Sequence, residues 1–171
     1  MSRYYGNMTD AVDKIIEQWA QERPELDVSP IGIIGRISRL ARHFESEISR
    51  NLAPLGITAD EYDVLATLRR SGQPYALKPR DLLETMMVTS ATVTHRIDKL
   101  EKRGLVERLA DPDDRRGVVV RLTPSGKRLL DRASEAHVAR ELEMVGVLSD
   151  KEREQLTRLL RRLSAAGSES G

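Results

Sequence analysis

The segment LVERLADPDDRRGVVVRL, residues 105–122, constrains the fold more than any other part of the sequence. Two short runs rich in apolar and β-branched residues flank a stretch of turn-forming residues, which is the pattern of a β-hairpin. Two adjacent arginines, Arg115 and Arg116, precede Gly117 at the expected tip. The sequence therefore predicts one small hairpin that carries its cations at a narrow end.

The segments before this hairpin have helical patterns. Apolar side chains recur at helical spacing from Thr9 to about Pro24, and Ser29-Pro30 is a typical start for a second, longer helix that ends near Leu52. Thr58 and Glu61 form a T-x-x-E capping box, which predicts a third helix to about Arg69. A short fourth helix is expected over residues 79–86.

The helix next to the hairpin is expected to begin at Thr89 or Ser90 and to end at Gly104. After the hairpin, Thr123-Pro124 predicts the start of a long helix to about Val145. Ser149 and Glu152 form a second capping box before a last helix, and the tail SAAGSESG is expected to be disordered.

Composition limits the classes of protein to which the chain can belong. Its 171 residues are 39% hydrophobic but only 4% aromatic, so Leu, Ile, Val and Ala must build the core. The absence of Cys excludes disulfides, thiolate metal sites and cysteine nucleophiles. No secretory leader or membrane span is evident, so a cytoplasmic protein without a membrane partner, metal or cofactor is expected.

The order helix, helix, turn, helix and hairpin predicts a mainly α fold with a small β-hairpin wing, the winged helix-turn-helix. Apolar stripes on the N- and C-terminal helices predict a dimerisation lobe. The expected division is residues 1–56 for the added helix and first dimerisation helix, 57–126 for the winged domain, 127–166 for the C-terminal dimerisation helices and 167–171 for a disordered tail. The alternative is a plain helical bundle with an incidental hairpin.

The helix before the hairpin has two different faces. Val93, Ile97 and Leu100 form one apolar stripe, whereas the opposite face carries polar side chains with threonines beside them: His95, Asp98, Lys99, Lys102, Thr92 and Thr94. Hydroxyls, an imidazole and lysines suit contacts with base edges and phosphates. A solvated polar face is the alternative. The formal net charge of +1 indicates that nucleic-acid contact would rely on such local clusters.

The stretch LETMMVTSATVTHRIDKLEKRGLVERLADPDDRRGVVVRLTPSGKRLL resembles the signature of MarR-type transcriptional regulators, with a basic D-x-R-R hairpin tip followed by L-T-x-x-G. The resemblance covers about residues 30 to 165. It implies a homodimer on a pseudo-palindromic DNA operator, with a recognition helix in each major groove and a wing in each minor groove. It also implies repression, and the expected DNA contacts are Ser90, Thr92, Thr94, His95, Lys99, Lys102, Arg115 and Arg116.

A hairpin tip is narrow enough to enter a minor groove, whose negative potential attracts a guanidinium group. Arg116 is the residue expected to insert there. By the resemblance, Asp114 and Arg115 position it or meet the flanking phosphates. The acidic residues of the tip are also compatible with a neutral, solvated turn.

The sequence is similar to a urate-responsive and PecS-like branch of this family, which adds an N-terminal helix bearing a tryptophan. Matched motif by motif, the ligand residues of that branch fall on Trp19, Asp63, Arg96 and Arg108. Their chemistry suits a small anion, because two guanidinium groups can bind carboxylate-like oxygens while an indole covers a ring face. The stretch around QERPELDVSP also resembles aconitate- and citrate-responsive members, so urate and a tricarboxylate both remain open.

Each of these residues also has a purely structural interpretation. Trp19 can complete an apolar stripe, Asp63 can be a surface charge, and Arg96 with Asp63 can form a structural ion pair. Protonation of His43, His95 or His137 is an alternative signal to a ligand. A winged-helix module that binds proteins without specific DNA binding is a further alternative. An enzyme is not expected, since the sequence has no phosphate-binding glycine loop, G-x-S-x-G or H-E-x-x-H motif.

Overall fold

The structure is a computed structural model that describes residues 9–86, 90–112, 114 and 117–168. These residues form seven α-helices, three short strands and one 3₁₀ turn at Ala53–Leu55. The helices are α1 (Ala11–Glu22), α2 (Ile31–Leu52), α3 (Ala59–Arg70), α4 (Pro79–Met86), α5 (Ser90–Lys102), α6 (Pro124–Val145) and α7 (Asp150–Ser168), and the strands are β1 (Ala76–Leu77), β2 (Val106–Ala110) and β3 (Val118–Leu122). The predicted mainly α fold with a small β wing is confirmed.

Local signals in the sequence account for most helix starts. Asp10 caps α1 by accepting hydrogen bonds from the backbone N–H groups of Val12 and Asp13. The capping box of Thr58 and Glu61 starts α3, and Thr123 caps α6 by accepting from the backbone N–H of Gly126. Each side-chain oxygen satisfies an amide that has no partner within its own helix. Within the part of the chain that the structure describes, no helix combines the length and hydropathy needed to cross a membrane.

The chain divides into two compact units, Met1–Glu47 and Ile48–Gly171. In the first unit, α1 packs on the beginning of α2 through glycines: a Cβ added at Gly35 would lie 3.3 Å from Cγ1 of Val12. Arg36 of α2 bonds the carboxylates of Asp10 and Asp13 at the start of α1. Because glycine has no Cβ, α1 and α2 can approach this closely.

The second unit holds the main hydrophobic core beneath the winged helix-turn-helix. Its buried side chains come from α3, α4, α5, α6 and the sheet, and they include Val64, Leu65, Leu68, Leu82, Val93, Ile97, Leu100, Val106, Val120 and Leu130. Aliphatic residues dominate, as the low aromatic content requires. The core fixes α5 and the wing strands on one scaffold.

The sheet has the strand order β1-β3-β2, with both pairings antiparallel. The pairing of β2 with β3 confirms the predicted hairpin. Strand β1 was not expected, because two residues are too few to show a period-two pattern. Ala76 pairs with Arg121 and Leu77 with Val120, which attaches the wing to the segment before α4.

The last helix is longer than the sequence indicated. Helix α7 continues to Ser168, so the expectation of disorder from residue 164 is wrong for residues 164–168, and residues 169–171 lie outside the described chain. Alanines at 165 and 166 favour continuation of the helix. The division of the chain into a dimerisation lobe and a DNA-binding domain stays a prediction.

Candidate DNA-binding surface and ligand site

The core anchors α5 by the apolar stripe that the sequence indicated. Val93, Ile97 and Leu100 are buried, and the side chains of Thr94, His95, Lys99 and Lys102 are exposed. At 100° per residue, His95, Lys99 and Lys102 lie within about 60° of one another on the helix. Thr92 is half-buried, and Ser90 is the first helical residue. The helix therefore presents a hydroxyl- and cation-bearing face away from its core contacts.

The wing closes at the base of its turn through backbone hydrogen bonds. The N–H of Asp111 donates to the carbonyl of Gly117 at 3.0 Å, and the N–H of Gly117 donates to the carbonyl of Asp114 at 2.8 Å. Arg115 and Arg116 lie outside the described residues, so their DNA contacts stay predictions. The strands that carry this turn leave the core beside the end of α5.

Arg96 lies at the boundary between the buried and exposed faces of α5, with its side chain 13% exposed. Its Nη2 atom is 2.9 Å from Oδ1 of Asp60 in the first turn of α3. Arg96 does not form the ion pair with Asp63 that the sequence left open. It pairs with Asp60 instead. Asp60 and Asp63 are separated by three residues and share a helix face, so the sequence offered two carboxylates there.

Arg108 on β2 connects the wing to α5. Its backbone N–H donates to Oε1 of Glu101 at 3.0 Å, and its guanidinium group donates to Oε2 of Glu101 and Oδ1 of Asp98. Partial burial lowers the pKa of Arg108, but the hydrogen bonds with Asp98 and Glu101 outweigh this and hold the pKa above its ordinary value. The guanidinium group is thus a permanent cation clamped by two carboxylates of α5.

Asp98 and Glu101 were not identified as partners from the sequence. Asp98 was assigned to the exposed face of α5, yet it binds Arg108, because the following strand returns beside the last turns of the helix. The spacing of three residues between these carboxylates was the available signal.

The predicted ligand residues do not form one bonded cluster. Among the described residues of the second unit, no hydrogen bond or ion pair joins any two of Asp63, Arg96 and Arg108. Trp19 belongs to the first unit, where its side chain on α1 is 43% exposed. The two arginines instead share a feature: each is held by carboxylates of neighbouring elements. The shared ligand site stays a prediction.

The three histidines lie in different settings. His95 is exposed on α5, His43 contacts the ring of Phe44, and Nε2 of His137 is 3.3 Å from a carboxylate oxygen of Glu141. Across the described ranges, no group of three or more acidic or histidine side chains is placed to hold a metal ion.

Comparison with known proteins identifies the family. The MarR family model matches residues 57–118. The chain is 38% identical over 152 residues to the HTH-type transcriptional regulator PecS of Dickeya dadantii, covering 89% of this chain and 92% of PecS.

Solved structures share the fold. A cysteine-to-serine variant of MarR from E. coli in complex with operator DNA superposes with a TM-score of 0.69 at 26% identity, covering 85% of this chain and 96% of MarR. BpsR of Bordetella bronchiseptica, whose DNA binding is regulated by 6-hydroxynicotinic acid, gives a TM-score of 0.69 at 28% identity over 77% of this chain and 92% of BpsR. With the winged helix-turn-helix and its exposed helix face, these similarities lead to one conclusion: the chain belongs to the MarR family of transcriptional regulators.

Proposed function

We propose that the protein is a homodimeric repressor that binds a pseudo-palindromic operator and dissociates from it when a small anion binds to the protein. The observation that carries this proposal is the exposed face of α5, which sits on a winged scaffold similar to that of operator-bound MarR. Membership of a family of transcriptional regulators confirms the expectation that the chain is not an enzyme.

The proposed DNA contacts follow from exposure and charge. Lys99 and Lys102 are free to neutralise phosphates at the groove edge, while His95 and Thr94 lie where base edges would be reached. Ser90 and Thr92 at the beginning of α5 complete this set, and Arg115 and Arg116 enter the adjacent minor groove. Two such surfaces, one helical turn of DNA apart, give the symmetry of the operator.

A second copy of this chain is the proposed partner of the exposed apolar stripes on its helices. Helix α7 carries four exposed leucines at i, i+3, i+4 and i+7, namely Leu156, Leu159, Leu160 and Leu163. Further apolar side chains are exposed on α2, at Ile33, Ile34 and Ile37, and on α6, at Val138 and Leu142. Exposed apolar stripes on helices are typical of isologous interfaces between two copies of a chain.

The proposed ligand is urate or a tricarboxylate, bound by Trp19, Asp63, Arg96 and Arg108. An anion that reaches Arg96 competes with Asp60, and one that reaches Arg108 competes with Asp98 and Glu101. Since Asp98 and Glu101 belong to α5, their release from Arg108 removes the ion pairs that join this helix to the wing. The regulation of BpsR by 6-hydroxynicotinic acid, an aromatic carboxylic acid, supports a small organic anion as the ligand.

Release requires that the anion bind the DNA-incompetent arrangement more tightly than the competent one. A tenfold difference in affinity corresponds to a coupling of about 1.4 kcal/mol. One arginine that exchanges a protein carboxylate for a ligand carboxylate can supply a coupling free energy of this size.

The test is a titration of the intergenic DNA upstream of the gene, with an unrelated duplex of equal length as control. Preference for the intergenic DNA, with affinity falling by about 0.9 log units per phosphate contact for each tenfold rise in salt, is expected. Urate, xanthine, citrate and aconitate are then added to the complex. Equal affinity for both duplexes would point to a protein-interaction module instead.

A further inference from the structure

An ion pair between a buried carboxylate and a half-exposed lysine lies at the base of the wing, outside both the recognition face and the ligand residues. Nζ of Lys78 is 2.7 Å from Oδ2 of Asp111, whose side chain is only 2% exposed, while that of Lys78 is 48% exposed. A carboxylate so deeply buried stays ionised only when a cation or hydrogen-bond donors compensate the lost water. Lys78 is therefore one of the groups that compensate the buried charge of Asp111.

The turn of the wing encloses the Asp111 side chain. A Cβ added at Gly117 would lie 2.9 Å from both Cβ and Oδ2 of Asp111, closer than side chains tolerate. The backbone N–H of Asp111 meanwhile donates to the carbonyl of Gly117. Glycine at this position lets the second wing strand close over the carboxylate, so the base of the turn is built around it.

Lys78 lies directly after the last residue of β1 that pairs with wing strand β3. Strand β1 pairs with β3 at two positions, and the last pair is Leu77 with Val120. Beyond that pair, towards the tip, β3 is hydrogen-bonded to β2 alone in the sheet. Lys78 is the next residue after β1, and its carbonyl accepts the N–H of Leu82 in the first turn of α4. Its side chain thus extends the attachment of the wing from the sheet to the turn.

We propose that Lys78 is a positioning residue for DNA binding: through Asp111 it fixes the wing tip relative to the helix-turn-helix, without contacting DNA itself. This inference rests on the proposed DNA-binding function. A hairpin held at its base presents its tip arginines at a defined distance from α5, whereas a loosened hairpin must be ordered each time that DNA binds.

A direct phosphate contact by Lys78 is the competing explanation, and the two differ in sign for Asp111. If Lys78 bound phosphate, Asp111→Asn would remove a nearby negative charge and strengthen binding to DNA. If the ion pair positions the wing, Asp111→Asn weakens binding even though the protein becomes more positive. Lys78→Met weakens binding in both cases.

The test measures operator affinity for Lys78→Met, Asp111→Asn and the double variant. We expect each single variant to bind about tenfold more weakly and the double variant to bind no more weakly than either, because all three lose the same contact. Lys127→Met, which removes a lysine from the exposed pair with Asp131 on α6, is the matched control and is expected to keep wild-type affinity.

A second readout does not depend on DNA. Hydrogen exchange of the Asp111 amide, measured by NMR in the free protein, is expected to accelerate in Lys78→Met while the thermal midpoint is retained. This variant also covers the case in which Asp111→Asn does not fold. Failure of the wild type to prefer operator DNA would refute the proposed function, and unchanged exchange in Lys78→Met would separately refute the positioning role.

Two further results would overturn the inference. Operator affinity of Asp111→Asn at or above that of the wild type assigns Lys78 to phosphate. Full additivity of the two single effects shows that the residues act independently.

Discussion

Gly126 packs against the carbonyl oxygen of Leu105 so closely that a Cβ at position 126 would lie 2.0 Å from that oxygen. The same carbonyl accepts hydrogen bonds from the backbone N–H and the hydroxyl of Thr123. Thr123 in turn caps α6 through the N–H of Gly126. The L-T-x-x-G sequence is thereby explained physically: it joins the end of the wing and the beginning of α6 to Leu105, the residue just before β2.

Gly126→Ala is expected to destabilise the fold by about 2–4 kcal/mol, because the contacted atom belongs to the backbone and cannot rotate away. Urea unfolding followed by circular dichroism measures the loss. Gly167→Ala is the control, since no described atom lies within 4 Å of the Cβ position there. Equal stability of the two variants would show that the contact with Leu105 is relieved at little cost.

Arg96→Ala is expected to bind operator but to lose release by the anionic ligand. The side chain is mostly buried beside Asp60 and is turned from the exposed face of α5, so its removal spares the proposed DNA contacts. Release is measured by competition of urate or citrate against labelled operator. Arg80→Ala, at an exposed position on α4, serves as the control for the loss of one surface charge in the release assay. Normal release from the Arg96 variant would remove Arg96 from the ligand site.

Arg116→Ala is expected to lower operator affinity by about 1–3 kcal/mol while the dimer stays folded. In the proposed binding mode, this variant loses a guanidinium group from the minor groove, whose negative potential attracts cations. A gel-shift titration measures the affinity, and Arg161→Ala on α7 controls for net charge. Retention of wild-type affinity would end the minor-groove assignment.

Leu160→Glu is expected to raise the dimer dissociation constant by a factor of about one hundred or more, because it places a charge in the apolar stripe of α7. Light scattering during size-exclusion chromatography at micromolar concentration checks the mass. Glu154→Gln on the same helix is the control. A wild-type protein that is already monomeric under these conditions would contradict the proposed homodimer.

The carboxyl of Asp10 is expected to titrate below its ordinary pKa of 3.8. The backbone hydrogen bond from Asp13, the side-chain bond with Arg36 and the backbone hydrogen bond from Val12 lower the pKa of this carboxyl in the folded protein. A lowered folded pKa contributes stability above the unfolded value, and that contribution is lost as the pH falls through the folded pKa. Asp10→Asn should therefore weaken α1 at neutral pH, and its difference from the wild type should vanish in strong acid.

An NMR titration of the Asp10 carboxyl carbon checks this direction. In Arg36→Met the pKa should move up towards 3.8 but stay below it, because the amide donors of α1 remain. A value at or above 3.8 in the wild type would contradict the cap seen in the structure.

The elements that sequence patterns located well are those fixed by neighbouring residues. The capping box at Thr58 and the short helix Pro79–Met86 agree with the structure, and the long helix after Thr123 ends at Val145 as expected. Helix α2 begins at Ile31, one residue after the expected Pro30, which is within the usual fraying of a helix end. These signals act over one turn of chain and need no tertiary partner.

The sequence by itself determined the order of helices and wing strands, the apolar stripe beneath α5 and the identity of the cations exposed on it. Only the tertiary structure decided which carboxylates pair with three other cations: Asp60 with Arg96, Asp98 and Glu101 with Arg108, and Asp111 with Lys78. Capping and periodicity depend on residues a few positions apart, whereas an ion pair between elements depends on how the core orients both of them. With 27 acidic and 28 basic side chains, the sequence allows many pairings that only packing can select.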